Sequence, residues 1–140
     1  MCITIPQFEH NIRIYYEDTD AAGIVYYANY LKFIERGRTE WLRSLGFELS
    51  EIERREQRLF AVSRVDARYH KPAQLDDQLV SIVKLIRMRK ASLELNQILK
   101  RGSEIVFSAL VVLACVDSVK LKPRAIPKII YHDLEKWITQ

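Results

Sequence analysis

The order of residue patterns predicts an α+β domain in which an antiparallel sheet of about five strands wraps one long helix. The first observation behind this is early in the chain. Apolar side chains at Tyr30, Phe33, Ile34, Trp41, Leu42 and Leu45 recur at three, four and seven, while Lys32, Glu35, Arg36, Thr39, Glu40 and Arg43 fill much of the rest. The second is the change of period after Leu59, beyond which four strand-like runs succeed one another. The third is that no other stretch promises a helix of comparable length. The long helix therefore has only the sheet to cover its apolar face.

Taken in order, 8–16 reads as a first strand, because Ile12, Ile14 and Tyr16 alternate with Asn11, Arg13 and Tyr15. The stretch 17–23 shows neither period and reads as a loop. The helix is expected over 27–45, roughly 28 Å at 1.5 Å per residue, with Gly46 as its terminating residue. Gly37 inside it costs about 1 kcal/mol relative to Ala, which a close approach to the sheet explains. A short second helix or an ordered loop is expected over 47–58, with Ser50 as the N-cap and Glu53 three residues on. Strands are expected at 60–69, 79–88, 91–99 and 105–116, the last almost continuously apolar and so central and covered on both faces. Pro72 separates the first of these strands from the second, and 101–103 is a turn. An extended linker is expected between Pro123 and Pro127, then a helical turn at 133–138. Trp41 and Trp137 read as packing anchors.

Length and composition set bounds. With 140 residues, 49% of them apolar, the chain reads as a single domain over 1–140 with a sizeable core. Twenty-two Lys and Arg against 18 Asp and Glu give a formal charge of +4, mildly favouring an anionic ligand. The basic residues are interleaved with acids rather than gathered into a stripe, which argues against a nucleic-acid partner. Two cysteines, Cys2 and Cys115, make no disulfide framework, so a reducing cytoplasm is the expected setting. Residues 1–10 carry no secretory signal pattern. The most apolar run, 105–116, is about half the ~20 residues a transmembrane helix needs, so no membrane span is expected.

The chemistry concentrates at Glu17-Asp18-Thr19-Asp20-Ala21-Ala22-Gly23. Clustered carboxylates oppose each other's ionisation, and a helix opening near Tyr27 offers unpaired N–H groups and a positive dipole end to offset that. A carboxylate facing such amides, with Gly23 allowing a tight turn between them, places a base or nucleophile opposite an oxyanion site. The run 18–29 resembles the start of a calcium loop but has no side-chain oxygen at its fifth position, Ala22, and no bidentate carboxylate at its twelfth, Asn29. His10, His70 and His132 have no ligand spacing, so no metal is expected. No Gly-x-Ser-x-Gly elbow exists.

The stretches Arg13-Ile14, Thr19-Asp20, Gly23-Ile24-Val25 and Tyr30 resemble the active-site spacing of the hotdog-fold acyl-CoA thioesterases. The likeness is to the 4-hydroxybenzoyl-CoA thioesterase family and its YbgC-like, Tol-Pal-associated branch. Phe33-Ile34-Glu35-Arg36, Arg38-Thr39-Glu40-Trp41-Leu42, the stretch 69–77 around Pro72-Ala73 and Arg89-Lys90-Ala91-Ser92 extend it over about 10–128. The resemblance implies a hotdog fold, a homodimer or homotetramer with active sites at the dimer interface, and hydrolysis of an acyl-CoA thioester. No cofactor is implied, since coenzyme A belongs to the substrate. Asp20 matches the family's catalytic carboxylate, as nucleophile or as general base for water, and the Tyr27 backbone N–H matches the group polarising the thioester carbonyl. Asp20 is expected to gain reactivity from partial burial. Gly23, Val25, Tyr26 and Tyr30 match its surroundings. Arg87, Arg89 and Lys90 resemble the corner that binds CoA phosphates, for which Arg forks and Lys charges suit.

One departure is visible. The YbgC-like branch usually has His where this chain has Tyr27, and the hydroxybenzoyl-CoA enzymes have Tyr. The expected substrate is a short- or medium-chain acyl-CoA, or an aryl-CoA. The alternative is a non-catalytic module that binds acyl-CoA or acyl carrier protein in the same groove.

Overall fold

A computed structural model describes residues 6–138. Cys2 and the first five residues of the stretch read as lacking a signal lie outside the described residues. The elements are β1 (Phe8–Arg13), a 3-10 turn (Tyr16–Asp18), α1 (Asn29–Ser44), α2 (Leu49–Glu56), β2 (Arg58–Tyr69), β3 (Gln78–Arg89), β4 (Ser92–Arg101), β5 (Glu104–Asp117) and α3 (Lys128–Glu135). The five strands form one antiparallel sheet in the order β1-β3-β4-β5-β2. α1 crosses β3, β1 and β4 and buries Tyr30, Phe33, Ile34, Trp41 and Leu42 against them.

The close approach read from Gly37 is real. A Cβ there would run into Ser81 Oγ on β3 and sit 3.3 Å from Ser81 Cβ and 3.7 Å from Val83 Cγ2. Behind that contact Gln97 is fully buried on β4 and donates to the Ile34 carbonyl at 2.7 Å, tying the helix backbone to the sheet. The helix ends as expected. Gly46 N–H donates to Arg43 O (2.9 Å) and Phe47 N–H to Leu42 O (2.9 Å). This paired closure needs a left-handed residue, and Gly46 has φ +92°.

Several expectations are corrected. α1 begins at Asn29, because Tyr26 O accepts the Asn29 N–H (2.8 Å) in a turn that precedes the helix. β1 stops at Arg13, since the chain tightens into the 3-10 turn and leaves Tyr15 and Tyr16 exposed. Glu48, not Ser50, stands at the N-cap of α2, and Ser50 lies inside that helix. β5 is next to the edge strand and β4 is central. β5 buries Phe107, Ala109, Val111, Leu113 and Cys115 on one face and leaves the other half-buried. The last helix comes earlier than expected, and residue Ile138 bridges Leu85 beyond it. Trp137 meets Trp41 edge to face at 5.9 Å, as packing anchors should. Cys115 is fully buried, and burial pushes its thiol above the usual range.

No described helix is long and apolar enough to cross a membrane.

Candidate active site

The acidic loop folds into a small hairpin. Thr19 bridges Val25, Asp20 N–H donates to Ile24 O (2.9 Å), and Gly23 N–H donates to Asp20 O (3.0 Å). Such a three-residue loop closes with a left-handed residue, which Gly23 supplies at φ +78°. The carboxylates then separate by role. Asp18 is buried and its Oδ2 accepts the Tyr15 N–H (2.8 Å). Its carbonyl accepts both Tyr26 N–H (2.9 Å) and Asn29 Nδ2 (2.9 Å), so the loop is stitched to the start of α1. Asp20 is exposed at the hairpin corner. Its Oδ1 accepts the Ala22 N–H at 2.8 Å, and its Oδ2 has no partner among the described residues. The partial burial expected of Asp20 is not supplied by its own chain.

Between this hairpin and α1 lie two peptide N–H groups, those of Tyr27 and Ala28, with no acceptor among the described residues. The peptides carrying them are nonetheless held. Val25 N–H donates to Ala73 O (2.8 Å), the buried Tyr30 hydroxyl accepts the Ala73 N–H (3.0 Å), and Tyr69 Oη donates to Tyr27 O (2.9 Å). The Tyr27 and Tyr26 rings are exposed and touch at 4.9 Å. Fixed, unpaired amides are the donors an oxyanion site needs, and the hairpin that carries Asp20 is tied to the same segment through the Asp18 carbonyl.

Of the residues singled out by sequence, Asp20, Gly23, Tyr26 and Tyr27 gather here at the surface, while Val25 and Tyr30 are buried beneath them as support. Arg87, Arg89 and Lys90 do not. The Tyr69–Phe107 pair marks the end of the sheet beneath Tyr27, and the Arg89–Ser92 and Ser92–Ala114 pairs mark the other end. Along β5 those ends are roughly 23 Å apart at about 3.3 Å per residue. The three cations also divide among themselves. Arg87 and Arg89 line a groove with Arg64, Ser92 and Glu94, and Arg87 approaches Glu94 at 3.8 Å. Lys90 lies instead beside Lys128, Tyr131 and His132 of α3.

Sequence reasoning passed over Asn29, Asp18 and Tyr69 as positioning groups. The signal available for Tyr69 was its place at the end of a strand, shortly before the Pro72 break. A groove of ≈ 330 Å³ runs along α1 between Leu31, Glu35, Arg38 and Leu42 on one side and Leu49, Phe60 and Leu113 on the other. Burial holds the Arg38 guanidinium below its ordinary pKa, against the opposing pull of Glu35. Among the described residues no three His, Cys, Asp or Glu side chains gather as a metal site.

One long helix laid across a five-stranded antiparallel sheet is the architecture of the hotdog fold. The sequence profile of the 4HBT thioesterase superfamily matches residues 22–107. The chain is 40% identical over 130 residues to the acyl-CoA thioester hydrolase YbgC of Escherichia coli, covering 92% of this chain and 96% of that protein. It is 41% identical over 121 residues to the acyl-CoA thioesterase YbgC of Haemophilus influenzae, covering 86% and 89%. The crystal structure of a probable thioesterase from Bartonella henselae superposes with a TM-score of 0.83 at 32% identity, covering 86% of this chain and 99% of that one. The chain belongs to the 4HBT thioesterase superfamily and is a thioester hydrolase.

Proposed function

We propose that the chain hydrolyses short- and medium-chain acyl-CoA thioesters, with Asp20 as the catalytic carboxylate and the Tyr27 N–H as the group that polarises the carbonyl. The observation that carries this is the pair of unpaired, anchored amides at Tyr27 and Ala28, on a segment that the Asp18 carbonyl ties to the hairpin presenting the free Asp20 Oδ2. As the carbonyl carbon becomes tetrahedral, its oxygen gains negative charge, which preorganised donors stabilise without having to reorient. Asp20 Oδ2 either attacks the carbon, expelling CoA thiolate and leaving a mixed anhydride that water opens, or takes the proton of the attacking water. Label found in Asp20 after a single turnover in ¹⁸O-labelled water identifies the anhydride route, since only water attack at the Asp20 carbonyl of the anhydride leaves label in the enzyme.

The acyl group has a receptor in line with the amides. Leu31, Glu35, Arg38 and Leu42 follow one another along α1 at intervals of four, three and four, so the groove they line runs along one face of the helix from its first turn, just after Ala28. A thiol-release assay over acetyl to palmitoyl and benzoyl CoA esters tests this. The expected optimum is at medium chains. Tight ester binding with no thiol release would select the non-catalytic reading.

The roughly 23 Å along β5 between the sheet end beneath Tyr27 and the end that carries Arg89 favours a site completed by a second copy. β2 is an edge strand, and Val62, Val65 and Tyr69, which share a face with buried Leu113, Val111 and Phe107, are 47%, 40% and 48% exposed because α1 packs on β3, β1 and β4 rather than on β2. Two copies joined antiparallel along β2 bury these side chains and bring one chain's Arg89 end toward the other's Asp20 end. Subunit exchange tests it. Asp20→Asn and Arg89→Ala proteins, each impaired, are expected to regain about a quarter of wild-type activity when mixed, because half the dimers are hybrids with one intact site each. A mixture no more active than the average of its parents contradicts the shared site.

A further inference from the structure

We infer that Tyr69 is a positioning residue for the hydrolysis, its hydroxyl setting the orientation of the peptides that offer their N–H groups to the substrate oxygen. The inference rests on the oxyanion site proposed above and assigns its alignment to a side chain on a different element. Tyr69 is the last residue of β2, and its Oη donates to the Tyr27 carbonyl at 2.9 Å. That carbonyl belongs to the same peptide as the Ala28 N–H. A hydrogen bond accepted by its oxygen fixes the plane of the peptide and makes its N–H a stronger donor, since hydrogen bonds in a chain polarise one another. The Tyr27 N–H sits on the neighbouring peptide, one pair of dihedrals away.

The ring of Tyr69 is held for this task. It meets Phe107 at 5.1 Å, Tyr30 at 5.4 Å and Tyr27 at 6.4 Å, all edge to face. Burial foremost, then Tyr27 and Tyr30, raises the pKa of its hydroxyl, so it remains a donor over the neutral range. No helical bond or cap side chain does this work, because the segment 26–28 precedes α1 and Ala28 at the N-cap has no side chain able to accept or donate. Tyr69 is therefore the side chain that ties this turn to the sheet, while Asn29 ties it to the acidic loop.

Tyr69→Phe in the intact oligomer keeps the ring and its three aromatic contacts and removes only the hydroxyl. The result expected is a fall in kcat of about tenfold, short of the roughly 10²–10³ seen when an oxyanion donor itself is lost, with KM within about twofold and Tm within about 2 °C of wild type. A kcat within twofold of wild type overturns the inference, as does a rise in KM at unchanged kcat, or a loss of activity that only tracks a lowered Tm. Asp20→Asn assayed alongside distinguishes the two levels. If that variant is nearly inactive and Tyr69→Phe is fully active, the site stands and the role of Tyr69 does not. If Asp20→Asn is itself fully active, the oxyanion site is misassigned and the inference falls with it.

Discussion

Asp20→Asn is expected to lower kcat for acyl-CoA hydrolysis by about 10³-fold, within the range typical of losing a positioned acid or base, and to leave KM within about threefold. The substitution is chosen because it changes little else. An Asn side-chain oxygen still accepts the Ala22 N–H that caps Asp20 Oδ1, and the hairpin is closed by backbone bonds and by Gly23 rather than by the carboxylate's charge. What disappears is an oxygen able to attack the carbonyl or to accept a proton from water. A 10³-fold loss is about 4 kcal/mol of transition-state stabilisation, far more than an exposed capping carboxylate contributes to a turn. A merely structural Asp20 would show the reverse pattern, with Tm lowered by a few degrees and turnover nearly intact.

Gly37→Val is expected to destabilise the protein by about 3 kcal/mol, the upper end of what overpacking costs, and to lower Tm by roughly 10 °C at this chain length. The cause is local and does not involve the active site. The helix backbone sits so close to β3 that even a Cβ meets Ser81 Oγ, with Ser81 Cβ at 3.3 Å and Val83 Cγ2 at 3.7 Å leaving no room for two further methyl groups. Gly37→Ala has two opposing terms, about 1 kcal/mol gained from helix propensity and a comparable loss from the tight Ser81 contact, so its Tm stays within about 3 °C of wild type. Chemical or thermal denaturation of the pair checks the contrast. Equal stability for Val and wild type would mean that helix and sheet are not in contact at this position.

That contact was legible before any coordinates, because a glycine in mid-helix needs a reason and nearness to the sheet is one. The helix period and the four strands after it were legible because each is a local pattern enforced by burial on one face, and the glycine at the helix end because the closure needs a left-handed residue, Gly46 at φ +92°. Boundaries that depend on side chains far away were not. Tyr16 continues the alternation of Ile12 and Ile14, yet Asp18 captures the Tyr15 N–H and ends the strand first. Ser50 and Glu53 spell a capping box, and the chain instead enters α2 two residues earlier. The continuous apolar run 105–116 suggested a central strand, but the uncovered outer face of this sheet is itself half apolar, so hydrophobicity alone could not rank β4 and β5.

At the site, the loop and the helix opening could be read because they are contiguous in sequence. The tie from Tyr69 could not, since 42 positions separate it from the carbonyl it holds. The separation of Arg87 and Arg89 from Lys90 arises from strand alternation and the hairpin turn. It was hidden by treating three neighbouring cations as a single patch.

The central claim is that the oxygen of a thioester is met by the amide of residue 27 while the carboxylate of residue 20 addresses its carbon. A crystal structure of the protein with an acyl-CoA analogue whose sulfur is replaced by methylene measures this directly. The account predicts the analogue's carbonyl oxygen about 3 Å from the Tyr27 nitrogen, in the range of an oxyanion donor, with Asp20 Oδ2 facing the carbonyl carbon. An ordered analogue whose carbonyl oxygen meets neither the Tyr27 nor the Ala28 amide of any chain would contradict it.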